Sequence, residues 1–375
     1  MIVPSGENAM HLSRREFARI AGAAVVLPSA ALAQPAPGKK VRYCVVGLGR
    51  ISLQHFMPGT KMGALGEITA FVSGHRDKAL KYAAEYGVAE SSIYSYADFD
   101  KIQDNPNIDA VYIALPNSMH AEYTIRAANA GKHVLCEKPM ANTVKEAEDM
   151  IAACKAAGKK LMIAYRCQLV PTFLQARELV RTGALGKIQA VESANGFNIA
   201  QGELRCNRKL AGGGPLMDVG IYSLNACRWL LGEEPAHVNA STSVIDQDGR
   251  FVDVEENCVW TMKFPSGAVA SCSTTYGASM DGFVRLYGSK GTMTVTGFGY
   301  QGIHLQARIN GVNKGDPPRI VDHLEEGKDP SQFVRESDYF SKCVLEGTEV
   351  GPSGEEGLKD MRVMMQIYES AAKNG

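Results

Sequence analysis

From Val41 onward, short apolar runs alternate with stretches whose apolar residues recur at helical spacing. Runs at residues 43–46, 68–72, 110–114, 133–135 and 161–164 predict strands, and the patterns at 77–86, 119–130 and 144–157 predict amphipathic helices between them. This alternation argues for a parallel, doubly wound sheet, because parallel strands need a crossover that a helix supplies. Gly87, Gly131 and Gly158 stand where helix C-caps belong.

After about residue 165 the rhythm changes. Helical patterns at 172–181 and 219–231 precede β-rich sequence to about residue 306, with runs such as 259–264, 268–275 and 292–295 set apart by Gly-rich turns like Pro265-Ser266-Gly267. That predicts a mostly antiparallel sheet. In the stretch 354–372, Leu358, Met361, Met364, Met365, Tyr368 and Ala371 form one stripe, which predicts a core-facing helix. The fold class is therefore α/β, with a parallel first domain at 41–164 and an α+β second domain with a large open sheet at 165–375. A chain of 375 residues agrees with two domains, since single cores stop growing near about 250–300 residues.

The composition narrows the function. Forty basic residues balance forty acidic ones, which leaves no electrostatic footprint for nucleic acid and no polybasic membrane patch. No apolar run approaches the ~20 residues that span a bilayer. The nine cysteines are odd in number and scattered, with no CxxC pair, so neither a metal site nor a disulfide framework is expected.

The N-terminus reads Ser13-Arg14-Arg15-Glu16-Phe17, then an apolar stretch from Ile20, then Ala31-Leu32-Ala33. Adjacent arginines, a modest apolar region and a small-x-small site predict a twin-arginine signal at 1–33, a Pro-rich arm at 34–40 and a periplasmic destination. The alternative is a short helix with a basic start. Export in the folded state suits a protein that loads a cofactor before it crosses.

Gly47-Leu48-Gly49-Arg50-Ile51-Ser52 follows the first strand and opens a helix-like stretch. The first Gly allows the tight turn and the second lets a pyrophosphate approach the backbone at a helix N-terminus. Ser52 stands where a third Gly or Ala is usual. In this strand–turn–helix context the pattern points to a Rossmann dinucleotide site. Sites that prefer NAD place a carboxylate at the tip of the second strand. Here that tip reads Ser73-Gly74-His75-Arg76-Asp77-Lys78, whose hydroxyl and cations suit the 2′-phosphate of NADP, although such residues also serve as ordinary solvated loop.

Two later segments carry candidate chemistry. Glu137-Lys138-Pro139 follows the strand at 133–135, on the carboxyl edge where open α/β sheets bind ligands. Asp218-Val219-Gly220-Ile221-Tyr222 follows Gly212-Gly213-Gly214 and opens a helix. A Lys beside a Tyr favours the phenolate by charge, which makes proton transfer feasible near neutral pH. By spacing alone the pair stays open, since a lone Tyr ordinarily packs and a lone Lys is ordinarily solvated.

Together with IDAVYIALPNSMHAEYTIRAANAGKHVLCEKPM, KKLMIAYRCQ, LAGGGPLMDVGIYSLN and LLGEEP, these motifs resemble the glucose–fructose oxidoreductase/inositol dehydrogenase/MocA family, from Val41 almost to the C-terminus. The likeness is to its periplasmic glucose–fructose and aldose–aldose oxidoreductase branch, since many other members carry His in place of Tyr222. The resemblance implies catalytic roles for Lys138, which orients the sugar and tunes Tyr222, for Tyr222 as general acid/base, and for Asp218 in binding the sugar. It implies that Gly47, Leu48, Gly49, Arg50 and Ile51 hold the pyrophosphate. Ser73, Gly74, Arg76 and Lys78 would surround the 2′-phosphate. Tyr96, Pro116, Asn117, His120, Glu137, Lys138, Arg166 and Arg205 would line the cofactor site. Leu204 replaces a Trp of glucose–fructose oxidoreductase, and the Pro-rich arm is shorter, which bears on cofactor clamping, tetramer formation and the choice of acceptor.

The expected activity is that of an NADP-containing aldose oxidoreductase which oxidises one sugar, such as glucose, at C1 and reduces a second sugar to its alditol. Outside the inner membrane no dependable NADP pool exists, so the cofactor is expected to stay tightly bound through both half-reactions. The partners expected are small sugars, with no nucleic acid, no membrane insertion, and homo-oligomerisation (dimer or tetramer) through the second sheet. The alternatives are an NAD-dependent family glycosidase, which would show an acid after the second strand and His at position 222, and a non-catalytic sugar or dinucleotide sensor.

Overall fold

Strand β1 (Val41–Val46) pairs in parallel with β2 (Gly66–Val72) on one side and β4 (Ala110–Ile113) on the other. With β3 (Ile93–Tyr94), β5 (His133–Cys136) and β6 (Leu161–Ile163) they form a six-stranded, all-parallel sheet ordered β3-β2-β1-β4-β5-β6. The order reverses between β1 and β4, so the carboxyl ends of those strands open a crevice. The computed structural model describes residues 38–374 apart from Val312 and Lys314, and the signal and most of the arm expected from the sequence lie outside the described residues.

β4 is buried along its whole length and β1 at all but one position, as expected of parallel strands covered on both faces. Tyr43 and Val45 face the helix α1, which starts as a π-type turn (Ser52–Phe56) and continues as Met57–Met62, and α2 (Arg76–Tyr86). Cys44 and Val46 face the opposite layer, α3 (His120–Asn129) and α4 (Val144–Ala156). At the start of α4, Thr143 Oγ accepts from Glu146 N while the Glu146 side chain reaches back to the N-cap, a reciprocal cap worth about 1 kcal/mol. β3 spans two residues and leaves no periodic signal in the sequence.

After α5 (Pro171–Arg181), the second half of the chain forms an eight-stranded sheet ordered β14-β13-β12-β11-β7-β10-β9-β8. Its strands are β7 (Ile188–Gly196), β8 (His237–Ser243), β9 (Asn257–Lys263), β10 (Val269–Thr275), β11 (Met280–Gly288), β12 (Gly291–Thr296), β13 (His304–Ile309) and β14 (Arg319–Leu324). All neighbours run antiparallel except β7 and β10, which pair in parallel at the centre. β9 alternates buried Cys258, Trp260 and Met262 with outward Val259, Thr261 and Lys263, so one face packs on helices and the other stays open. β13 and β14 carry the sheet past residue 306, where the sequence-based expectation ends; β14 buries little more than Val321 and shows no alternation.

The helix α6 (Ile221–Leu231) lies under this sheet and is buried almost all round, Arg228 included. Glu234 and Asp360 take up the Arg228 charge, with Nε donating to Glu234 Oε2 over 2.6 Å. The last two helices return to the first sheet. Phe333 and Phe340 of α7 (Ser331–Glu346) join the Tyr43 layer, and α8 (Gly354–Asn374) packs on α4 and β8. The crevice at the β1–β4 edge thereby acquires a second wall from the other half of the chain.

Candidate active site

β1 ends at Val46 and the chain turns through Gly47-Leu48-Gly49-Arg50 into α1. Gly47 has φ +93°, and a Cβ there would sit 2.5 Å from Ala114 O, so only glycine is accommodated. A Cβ on Gly49 would meet nothing within 4 Å, so this turn leaves open space beside its backbone. Ser52 is fully buried and its Oγ donates to Gly47 O over 2.6 Å, which ties the turn to the helix where a third glycine would only have packed. Such a cradle fits a dinucleotide pyrophosphate.

At the tip of β2, Ser73 Oγ accepts from His75 N over 3.1 Å, and Gly74 lies against the Tyr96 ring. Lys78 Nζ donates to Leu48 O over 2.5 Å, which brings an ammonium to the rim of the glycine turn. Arg76 points away and pairs with Glu90 at 2.7 Å on the surface. Pro116 starts the turn that presents Asn117, whose Nδ2 donates to Ala211 O across the crevice over 2.8 Å.

The crevice is a cavity of about 470 Å³. Arg50, Ile51, Asn117, His120, Glu137 and Lys138 line it from one side, and Arg166, Arg205, Asp218 and Tyr222 from the other. His120 supports this wall from within, its ring nitrogens 2.8 Å from Pro139 O and 2.9 Å from Leu115 O. Glu137 accepts from Tyr112 Oη over 2.7 Å and from Lys138 N over 3.2 Å, and burial pushes its carboxyl up.

At the centre, Lys138 Nζ donates to Asp218 O over 2.6 Å and to Asp218 Oδ1 over 3.1 Å. The other oxygen, Oδ2, accepts from Tyr276 Oη over 2.8 Å and lies 3.5 Å from Arg205 Nε. Burial works to raise the Asp218 carboxyl, but Lys138, Arg205 and the Tyr276 hydroxyl outweigh it and hold it at about 2. Burial also works to pull the Lys138 ammonium down, and the neighbouring Tyr222, Asp218 and Glu137 keep it above its ordinary range. Tyr222 stands between two cations, with Lys138 Nζ 4.8 Å and Arg166 Cζ 5.1 Å from its ring centre, and Arg166 Nη2 donates to its hydroxyl over 3.3 Å. A fixed carboxylate that accepts hydrogen bonds, beside a phenol flanked by cations, can orient a hydroxylated compound and exchange a proton with it.

The chain carries two successive sequence signatures. "Oxidoreductase family, NAD-binding Rossmann fold" matches residues 41–165 and "GFO/IDH/MocA C-terminal domain" matches residues 173–294. The protein belongs to the GFO/IDH/MocA family of oxidoreductases. Among solved structures it is similar to an aldose-aldose oxidoreductase from Caulobacter crescentus complexed with glycerol, at 43% identity and a TM-score of 0.84 over 90% of this chain and 99% of that one. It is also similar to a levoglucosan dehydrogenase solved with NADH and levoglucosan, at 26% identity and a TM-score of 0.79 over 90% and 98%. A D-xylose 1-dehydrogenase [NADP(+)] of Haloarcula marismortui is 31% identical over 90% of this chain and 93% of its own length. Membership makes the first domain an NAD(P)-binding Rossmann domain and the protein an NAD(P)-dependent oxidoreductase, as the resemblance of the motifs implies.

Within this family site, several side chains have no local sequence signal. Tyr276 follows β10 in a Thr-Thr-Tyr-Gly run, and Phe298 and Tyr300 come from the loop after β12. His55 lines the cavity from α1, where its ring meets Tyr300 with centroids 4.3 Å apart. The one available cue for Tyr276 was its place at the end of a strand, before a glycine whose Cβ would collide with the Glu256 side chain. Leu204, beside Arg205, is 60% exposed and is not among the residues that line the crevice. Among the described residues no cluster of His, Cys, Asp and Glu is arranged to hold a metal ion, and no helix is long and apolar enough to cross a membrane.

Proposed function

We propose that this protein is an NADP-dependent sugar oxidoreductase of the aldose–aldose type, which oxidises an aldose at C1 to its lactone and reduces a second sugar to its alditol. The observation that carries the reading is the Lys138–Asp218–Tyr222 constellation facing the glycine turn across one cavity. The 43% identity to an aldose-aldose oxidoreductase over 90% of the chain supports the same substrate class.

Asp218, kept charged, accepts a sugar hydroxyl and sets the ring's orientation. Tyr222 takes the proton of the C1 hydroxyl in oxidation and gives a proton to the carbonyl oxygen of the second sugar in reduction. Lys138 fixes Asp218 and adds positive charge beside the phenol. Gly47 to Ile51 hold the pyrophosphate, while Ser73, Gly74 and Lys78 favour NADP because no carboxylate stands at the β2 tip to repel a 2′-phosphate. Tyr96, Pro116, Asn117, His120, Glu137, Arg166 and Arg205 complete the cofactor's surroundings. When bound, the nicotinamide accepts a hydride from a carbinol carbon and returns it to a carbonyl.

The twin-arginine signal at 1–33 supports a periplasmic location, and a cofactor that remains bound between half-reactions follows from that location. Exposed Val259, Val269, Ile320 and Leu324 on the second sheet support self-association through it. The test uses mature protein with no added cofactor. Glucose should raise the reduced-nicotinamide absorbance, xylose or fructose should then lower it, and denaturation should release NADP. A response that appears only after NADP is supplied would replace the closed cycle with an ordinary dehydrogenase.

A further inference from the structure

The Arg166 guanidinium is 4% exposed, yet its hydrogen-bond partners are all uncharged groups. Nη1 donates to Gln332 Oε1 over 2.6 Å and to Gly299 O over 2.9 Å; Nη2 donates to Phe298 O and to Tyr222 Oη. Among the described residues Arg166 forms no ion pair with a carboxylate, in contrast to Lys138, whose charge is matched by Asp218 at 3.1 Å. Burying a cation is costly unless an anion partners it. The amide and carbonyl oxygens fix the plane of the guanidinium and leave its charge uncompensated, with one N–H aimed at the phenol oxygen.

We propose that Arg166 supplies the charge that stabilises the Tyr222 phenolate, so that Lys138 chiefly organises Asp218 while Arg166 sets the reactivity of the acid/base. The proposal rests on the reading of Tyr222 as that acid/base. In sugar oxidation the O–H bond at C1 breaks and its proton joins the Tyr222 phenolate, while the hydride leaves C1 with its electron pair for the oxidised nicotinamide and a lactone C=O forms. Arg166 keeps its N–H on Oη before and after, and its charge lowers the energy of the anionic form in a crevice where Coulomb attraction is weakly screened. The other ionisable groups around Arg166 are Tyr300, Lys138, Cys167, Glu137 at the end of β5 and Glu336 on α7; beyond Gln332, Glu325 accepts from Gln332 Nε2 over 3.0 Å and is already paired with Arg335. Glu336 is wholly buried with neither oxygen hydrogen-bonded, and burial pushes Glu137 and Glu336 up, which weakens their hold on Arg166 as anions.

The decisive comparison is Arg166→Gln, which keeps a neutral N–H donor, against Arg166→Lys, which keeps the charge. Both are purified with their cofactor and assayed for bound nicotinamide after denaturation and for the rate of sugar oxidation against pH, with Tyr222→Phe as the reference for lost acid/base chemistry. The Gln variant should retain cofactor, lose about 100-fold in rate near neutral pH, and move the rising limb of activity against pH to the alkaline side. The Lys variant should recover most of both. Unchanged profiles in the Gln variant with cofactor retained would overturn the proposal, as would a loss that added NADP fully restores. If the Gln variant fails to fold, the Lys variant decides: a wild-type profile of rate against pH supports the charge, and a limb shifted to the alkaline side overturns it. Full activity of Tyr222→Phe would instead overturn the acid/base reading beneath it.

Discussion

Tyr276 Oη donates a 2.8 Å hydrogen bond to Asp218 Oδ2, the oxygen opposite the one that Lys138 meets. Tyr276 is fully buried at the end of β10, and its ring packs edge-on against Phe197 with centroids 5.2 Å apart. The carboxylate is thus gripped from β5 and from β10 at once, which holds it in one orientation. Replacing Tyr276 with Phe removes that grip without changing the ring. The expected result is a roughly tenfold rise in sugar KM with a smaller fall in kcat, the equivalent of about 1.4 kcal/mol of lost binding. Steady-state kinetics with glucose would check it, and an unchanged KM would show that Lys138 and Arg205 suffice to hold Asp218.

The same carboxyl predicts a pH dependence of stability. Asp218 is held at about 2 in the folded chain against an ordinary 3.8, with Lys138 and Arg205 overcoming the effect of burial. A carboxyl depressed on folding contributes stability above its unfolded value and loses it as pH falls through the folded one. Relative to Asp218→Asn, the protein should therefore lose roughly 2 kcal/mol between about pH 4 and pH 2. Urea unfolding of both proteins across that range measures it, and parallel curves would argue against an ionised Asp218.

Five strands of the six-stranded sheet were legible because each centres on an apolar run followed by a helical pattern, whereas the two-residue β3 was not. Tyr43–Val46 and Ala110–Ile113 are such runs, and Gly87, Gly131 and Gly158 adopt the positive φ that their C-cap positions need. The glycine turn, Lys138 and Tyr222 were legible for a related reason, since each sits in a short motif at the end of a strand or the start of a helix. Tyr300 and His55, which line the cavity, and Tyr276, which meets Asp218 from behind it, were not, because only the packing of distant segments brings them there. The charge balance around Arg166 was equally hidden. Its neutral partners Gly299 and Gln332 lie more than a hundred residues away in the chain.

Cofactor choice turns on Lys78. Its ammonium rests on Leu48 O at the rim of the glycine turn, 2.5 Å away, while the neighbouring Arg76 is engaged with Glu90. Lys78→Ala should weaken NADP binding about tenfold and weaken NAD binding less, because both dinucleotides place a pyrophosphate on the turn but only NADP adds a 2′-phosphate for the ammonium to meet. Titration of cofactor-stripped protein with each dinucleotide would decide. Equal losses for both would mean that Lys78 supports the turn itself rather than a 2′-phosphate.

Gly47 and Gly49 are two residues apart but should fail differently when given a methyl group. At Gly47 the new Cβ would lie 2.5 Å from Ala114 O on a backbone at φ +93°, so Gly47→Ala strains the β1–α1 turn and moves it against the start of the β4 loop. Such strain costs about 1–3 kcal/mol, and a lowered melting temperature is expected with or without cofactor. At Gly49 the Cβ would enter open space, with no protein atom within 4 Å. Gly49→Ala should therefore melt like the parent protein when stripped of cofactor, yet lose the extra stability that the dinucleotide confers, since the methyl occupies the approach that a pyrophosphate needs. Thermal unfolding of both variants, each with and without NADP, separates the two effects. A Gly49→Ala protein that still gains full stability from NADP would show that the pyrophosphate lies elsewhere along the turn.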